Sequence, residues 1–122
     1  MNFKDNKPIY IQIAEHICDD VLAGIYRADE RIPSVREFAA SVEVNANTVV
    51  RSYDYLQQSG IIYNKRGLGY FVADGAAKII TDMRRKQILG DELSLMFSRM
   101  ATIGISPDEL QRLYTEYLNA QQ

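Results

Sequence analysis

The chain is poor in the residues that usually carry chemistry. Its 122 residues include one cysteine, one histidine and no tryptophan. A lone Cys18 can close no internal disulfide, and nothing points to an oxidising compartment. His16 and Cys18 by themselves make no zinc site, so neither a structural metal nor a cofactor is expected. Paired carboxylates at acid–base spacing and phosphate-loop glycines are also missing, which argues against an enzyme. No apolar run approaches the roughly 20 residues that cross a bilayer, and the opening MNFKDNKPIY lacks the apolar centre of a secretory signal. A cytoplasmic chain without membrane contact is the expectation. Excess positive charge is missing too: the formal net charge is −2 and the isoelectric point about 5.4. Those totals do not mark a nucleic-acid binder.

What is present is the mixture of a folded domain, 47% hydrophobic and 25% charged, with a length suited to one compact domain or a small domain plus an appendage. Its charge is unevenly spread. Between positions 31 and 72, Arg31, Arg36, Arg51, Lys65 and Arg66 outnumber Glu37, Glu43 and Asp54, while acid collects at Asp19, Asp20, Asp29 and Glu30. Binding in a nucleic-acid groove needs only such a local basic face.

Apolar residues at Ile9, Ile13, Ile17 and Val21, with Ala14, Cys18 and Leu22 beside them, predict an amphipathic helix from Pro8 to Ala23, stopped by Gly24. Cys18 falls on its apolar side, as core, and His16 on its solvated side. Ser34 and Glu37 have capping-box spacing, which predicts a short helix over 35–41 burying Val35, Phe38 and Ala39. Asn45 is a good N-cap for a further helix over 46–59, ended by Gly60. At about 100° per residue, Val49, Ser52, Tyr53 and Leu56 share its buried face, with Asn47 and Arg51 opposite and Thr48 on a flank. Two short helices in tight succession, the second showing polar side chains from its first half, form a helix-turn-helix. The segment IIYNKRGLGYFVA then predicts a hairpin of 61–63 and 70–72, with Lys65 and Arg66 at the loop tip and Ile32 available as a short third strand.

From Asp74-Gly75 onward the pattern is helical again, with apolar residues at Ile79, Met83, Leu89, Leu93, Met96, Phe97 and Met100, and with Gly90 as a break. Ser106, Pro107 and Glu109 open a last helix over 107–119, whose stripe is Leu110, Leu113, Tyr114 and Tyr117. The expected division is a domain over 1–75 and a helical tail over 76–122. Two apolar stripes in so short a tail are not covered by folding on each other. Pairing with a second copy is the simplest cover, so the dimerisation residues expected are Leu89, Leu93, Met96, Phe97, Met100, Leu110, Leu113, Tyr114 and Tyr117.

These segments, PIYIQI, RIPSVREFA, VNANTVVRSYDYLQQSGII and RGLGYFVA, taken in order, resemble the DNA-binding domain of GntR-family bacterial transcription regulators. The likeness is close over 7–73, and the short tail most resembles the YtrA subfamily by length and helical pattern. It implies an α+β fold, a winged helix-turn-helix followed by a short two-helix dimerisation tail. It also implies a homodimeric, repressor-type regulator that reads an inverted repeat in double-stranded DNA. Carried over by motif, the DNA-binding residues are Arg36, then Asn45, Asn47, Thr48 and Arg51, then Lys65, Arg66 and Gly67. The chain departs from the pattern at Ala46, where many relatives have arginine or proline. The tail has no room for the long effector domain of larger members. Any small-molecule effector, its identity unknown, is expected to act at the dimer interface or at the hinge near Asp74-Gly75.

The site residues other than Asn47 also have ordinary alternatives. Arg51 can pair with Glu43 or Asp54, and Arg36 with Glu37 or Glu43. Asn45 can be a cap alone, Thr48 can bond its own helix, and Lys65 and Arg66 can be solubilising charge. Gly67 can serve the loop's conformation. The acidic balance also leaves open a winged-helix adaptor that binds protein without sequence-specific DNA recognition.

Overall fold

The computed structural model describes residues 6–122. Three helices come first: α1 (Ile9–Leu22), α2 (Val35–Val42) and α3 (Ala46–Gln58). Pro8 precedes the first turn of α1, and the helix then buries Ile13, Ala14, Ile17, Cys18 and Val21. The three-and-four spacing selects those positions and also Ile9 and Leu22, which lie at the two ends of the helix and are exposed. Ser34 caps α2 through a complete capping box: its Oγ accepts the Glu37 amide at 3.1 Å, and the Glu37 carboxylate accepts the Ser34 amide at 2.9 Å. Left-handed Glu43 (φ 57°) ends α2 and turns the chain sharply. Two residues later the Asn45 side chain accepts the Asn47 amide at 2.7 Å and starts α3.

The hairpin comprises β1 (Ile62–Lys65) and β2 (Gly69–Val72), antiparallel, with Ile62 opposite Val72 and Lys65 opposite Gly69. Its strands run further toward the tip than the sequence pattern predicted. Lys65 is therefore a strand residue, and only Arg66, Gly67 and Leu68 form the loop. Asn64 and Lys65 are polar, so hydrophobic alternation ends before the pairing does. The third strand expected at Ile32 is reduced to a single bridge, Arg31 to Phe71, supported by the Ile32 amide on the Tyr70 carbonyl at 3.0 Å.

One core serves these elements. Ile13 and Ile17 of α1, Val49, Tyr53 and Leu56 of α3, and Ile32, Ile61, Ile62 and Val72 around the wing are all buried within it. Each fully buried aliphatic side chain contributes about 1.5–3 kcal/mol relative to an exposed one. Helix α4 (Ala76–Gln87) begins on the same core, with Ala76 and Ile80 buried. The compact unit so formed extends to Met83.

A second unit runs from Arg84 to Gln122. A π-helical turn (Ile88–Glu92) contains Gly90 at φ −88°, ψ −113°, outside helical geometry, which is the break expected there. It leads into α5 (Leu93–Thr102) and α6 (Pro107–Ala120). Ser106 caps α6 by accepting the Glu109 amide at 3.1 Å. Neither α5 nor α6 buries a residue, and Leu95, Met96, Phe97, Leu113, Tyr114 and Tyr117 are all exposed. The whole is a winged helix-turn-helix followed by a helical C-terminal region.

Candidate nucleic-acid interface

The orientation of α3 follows from what it buries. Val49, Ser52, Tyr53 and Leu56 lie against the core, so Asn47 and Arg51, on the other side, are exposed. Tyr53 fixes α3 against the start of α2. Its hydroxyl donates to the Pro33 carbonyl at 2.6 Å, one residue before the α2 cap, and its ring meets Phe38 and Tyr70 edge-on. Burial pushes that hydroxyl well above its ordinary pKa, so it stays a neutral donor. Ser52, fully buried, sits with Oγ 2.7 Å from the Tyr10 carbonyl and 3.1 Å from the Thr48 carbonyl, tying α3 to the first turn of α1.

Arg51 takes neither acidic partner available to it in sequence. Its guanidinium carbon lies 4.0 Å from the centre of the Tyr10 ring, a cation–π stack across two helices. A ring contact of this kind consumes no N–H, and the Arg51 side chain makes no hydrogen bond or ion pair among the described residues, so its donors stay available. Asn47, one turn earlier, gives its backbone amide to the Asn45 cap, and its side chain makes no hydrogen bond among the described residues. Asn45, itself exposed, commits its side-chain oxygen to that cap, and its NH2 group makes no hydrogen bond among the described residues. Thr48 is half-buried on the flank.

Arg36 is exposed in the first turn of α2, beside the positive end of the helix dipole. The neighbouring carboxylate is already occupied: Glu37 holds the Ser34 amide and lies 3.2 Å from Arg31. Hydrogen bonds from the Ser34 amide, then from its hydroxyl, then from Arg31 hold the Glu37 carboxyl below its ordinary range. Arg36 itself makes no hydrogen bond or ion pair among the described residues.

Arg31 carries a role that sequence reading missed. Besides Glu37, it donates through Nε to the Leu68 carbonyl at 3.3 Å, so one guanidinium links the wing tip to the cap of α2. The backbone allows this because residue 69 is glycine. Gly69 has φ +108°, and a Cβ there would stand 3.1 Å from Arg31 Nε. Gly67 also needs its left-handed φ of +80°, but the space around it is open, so a second surface can come close. Arg66 and Leu68 flank it, both exposed. Lys65 leans back along the wing instead, with Nζ 4.9 Å from the Phe71 ring centre and 5.9 Å from that of Tyr63.

The description "Bacterial regulatory proteins, gntR family" matches residues 9–72, from the first residue of α1 to the last of β2. The chain belongs to the gntR family. The HTH-type transcriptional regulator YhcF of Bacillus subtilis (strain 168) is 32% identical over 108 residues, 88% of either chain. The HTH-type transcriptional repressor YtrA of the same organism is 33% identical over 85 residues, 70% of this chain and 65% of that one. A crystal structure of a GntR-family regulator from Bacteroides thetaiotaomicron is 50% identical, with a TM-score of 0.82, covering 94% of this chain and 100% of that one. Family and fold are thus regulatory rather than catalytic, and of the DNA-binding class. Among the described residues of this gntR-family chain, no group of acidic, histidine or cysteine side chains is arranged to hold a metal, and no helix is long and apolar enough to cross a membrane. A shallow recess of about 180 Å³ lies beside Gly75, within the first unit, lined by Tyr26, Arg27, Ala73 and Ala76 among others.

Proposed function

We propose that the protein is a sequence-specific repressor of transcription, acting in the cytoplasm as a homodimer on an inverted-repeat operator. The observation that carries this reading is the solvent face of α3. Asn47 and Arg51 stand there with side-chain donors that nothing in the described chain consumes. Asparagine pairs in two places with an adenine edge, and arginine does so with guanine. Arg36, at the start of α2, and Arg66 and Gly67, on the wing, supply phosphate and backbone contacts around that helix, with Thr48 and the free NH2 of Asn45 at its start. Lys65 adds charge from the strand.

The dimer is supported by α5 and α6, which expose their apolar stripes and bury nothing. Leu89, Leu93, Met96, Phe97 and Met100, with Leu110, Leu113, Tyr114 and Tyr117, are the residues assigned to it. A twofold pair presents two copies of α3 to half-sites about 34 Å apart, one turn of DNA. Repression and YtrA-like character rest on the likeness to the repressor YtrA, of which the chain spans just under two thirds.

Selection of bound sequences from a random duplex pool tests the reading directly. The expected product is a palindrome whose affinity falls steeply with salt, because phosphate contacts release counterions. Replacing Arg51 by alanine then costs about 1–3 kcal/mol on that sequence at fixed salt. No enriched sequence, together with binding to a protein partner that ignores salt, would instead identify an adaptor.

A further inference from the structure

Tyr10 belongs to α1, which has no direct part in the interface proposed above. Even so, its ring lies under the guanidinium of Arg51 at 4.0 Å. Two features make this more than a passing contact. The Tyr10 backbone is pinned to α3 at the neighbouring residue, through the bond from the fully buried Ser52 Oγ to the Tyr10 carbonyl at 2.7 Å. Arg51 also has no competing carboxylate partner among the described residues, and the contact with the ring is its one polar side-chain interaction there.

An exposed arginine otherwise samples many rotamers, and fixing it on binding costs entropy. A ring under the guanidinium removes most of those rotamers in advance and leaves the N–H donors uncommitted. We propose that Tyr10 is a positioning residue for DNA recognition: it holds Arg51 in one orientation before DNA arrives, and so sharpens discrimination at the base pair that Arg51 reads. The proposal rests on the DNA-binding role argued above. It adds a residue outside the helix-turn-helix to the determinants of sequence preference.

A double-mutant cycle on the full chain, with the duplex obtained by selection, tests it. Tyr10→Leu is expected to weaken binding roughly threefold to tenfold, the scale of an exposed to partly desolvated cation–π contact. Tyr10→Phe, which keeps the ring, should bind like the parent. In an Arg51→Ala background, Tyr10→Leu should have no further effect, whereas a merely structural role would persist there. The loss should be larger on the selected duplex than on one altered at the base pair to which Arg51→Ala is blind. Because the Ser52 bond reaches the Tyr10 backbone, it survives these substitutions. Should Tyr10→Leu nevertheless fail to fold, the upfield ring-current shift of the Arg51 side-chain protons relative to a solvated arginine, present in the unaltered protein and kept in Tyr10→Phe, decides whether the contact exists in solution. Equal losses with and without Arg51, or no ring-current shift, overturn the proposal while DNA binding stands. A parent protein that selects no DNA removes the DNA-binding role and this proposal together.

Discussion

Tyr53 and Asn45 illustrate how single side chains set the geometry of the interface. The Tyr53 hydroxyl bridges α3 to the residue before the α2 cap, in surroundings where a lost donor strands a carbonyl. Tyr53→Phe is expected to cost about 1 kcal/mol, read as a lower urea midpoint with unchanged slope. Asn45 separates capping from recognition. Asn45→Ala should cost about 1 kcal/mol of stability, and Asn45→Asp should keep the cap. The aspartate, however, presents a negative charge to the DNA, so its operator affinity should drop although its melting temperature does not. Equal affinity for Asn45→Asp and the parent would restrict Asn45 to capping. Much at this scale was legible in sequence: helical periodicity alone turned Asn47 and Arg51 outward and Ser52 inward. The Tyr10 stack was not, because it joins residues on different helices whose crossing no local pattern specifies. Arg31 was hidden for the same reason, its partners lying on the wing and on α2.

At the scale of elements, the wing and α2 behave as one assembly through Arg31 and Glu37. Gly69→Ala places a Cβ at a φ that L-residues rarely adopt and against Arg31 Nε, 3.1 Å away. It is expected to cost about 1–3 kcal/mol, with faster hydrogen exchange at the Leu68 amide, which bonds the Lys65 carbonyl. Unchanged exchange there would mean that the tip does not depend on this contact. Glu37 gives the assembly a pH signature. Its carboxyl is held below its ordinary pKa, so the stability it adds is fully present above that ordinary value and is lost as pH falls through the lower folded one. Acid melts of Glu37→Gln should therefore lack part of the parent's decline. Parallel curves for the two proteins would remove Glu37 from the account. Helix caps and the hairpin itself were readable, since Ser34, Asn45 and Ser106 cap as their types predict. The hairpin's tip was read too long, because strand pairing by backbone bonds continues through polar Asn64 and Lys65 where hydrophobic alternation does not.

For the whole molecule, the winged helix-turn-helix has an interior and the C-terminal helices have none of their own. The proposed pairing predicts that Phe97→Glu combined with Leu113→Glu yields monomers in sedimentation experiments, with palindrome affinity lowered much more than affinity for a single half-site. Dimers that persist in that variant would move the interface elsewhere. The stripes themselves were legible, but their partner was not, since one chain shows which face is greasy and not what lies against it. The first unit has a different use for the experimenter. Cys18 lies at 7% exposure on the inner side of α1, beside Ile13 and Ile17 in the same cluster, and is the chain's single thiol. An excess of thiol reagent therefore modifies a molecule only while its first helix is swung open, and the modification rate becomes a clock that ticks once per excursion. Adding the selected duplex should slow that clock in proportion to occupancy, giving a count of bound molecules from a buried atom on the inner side of α1.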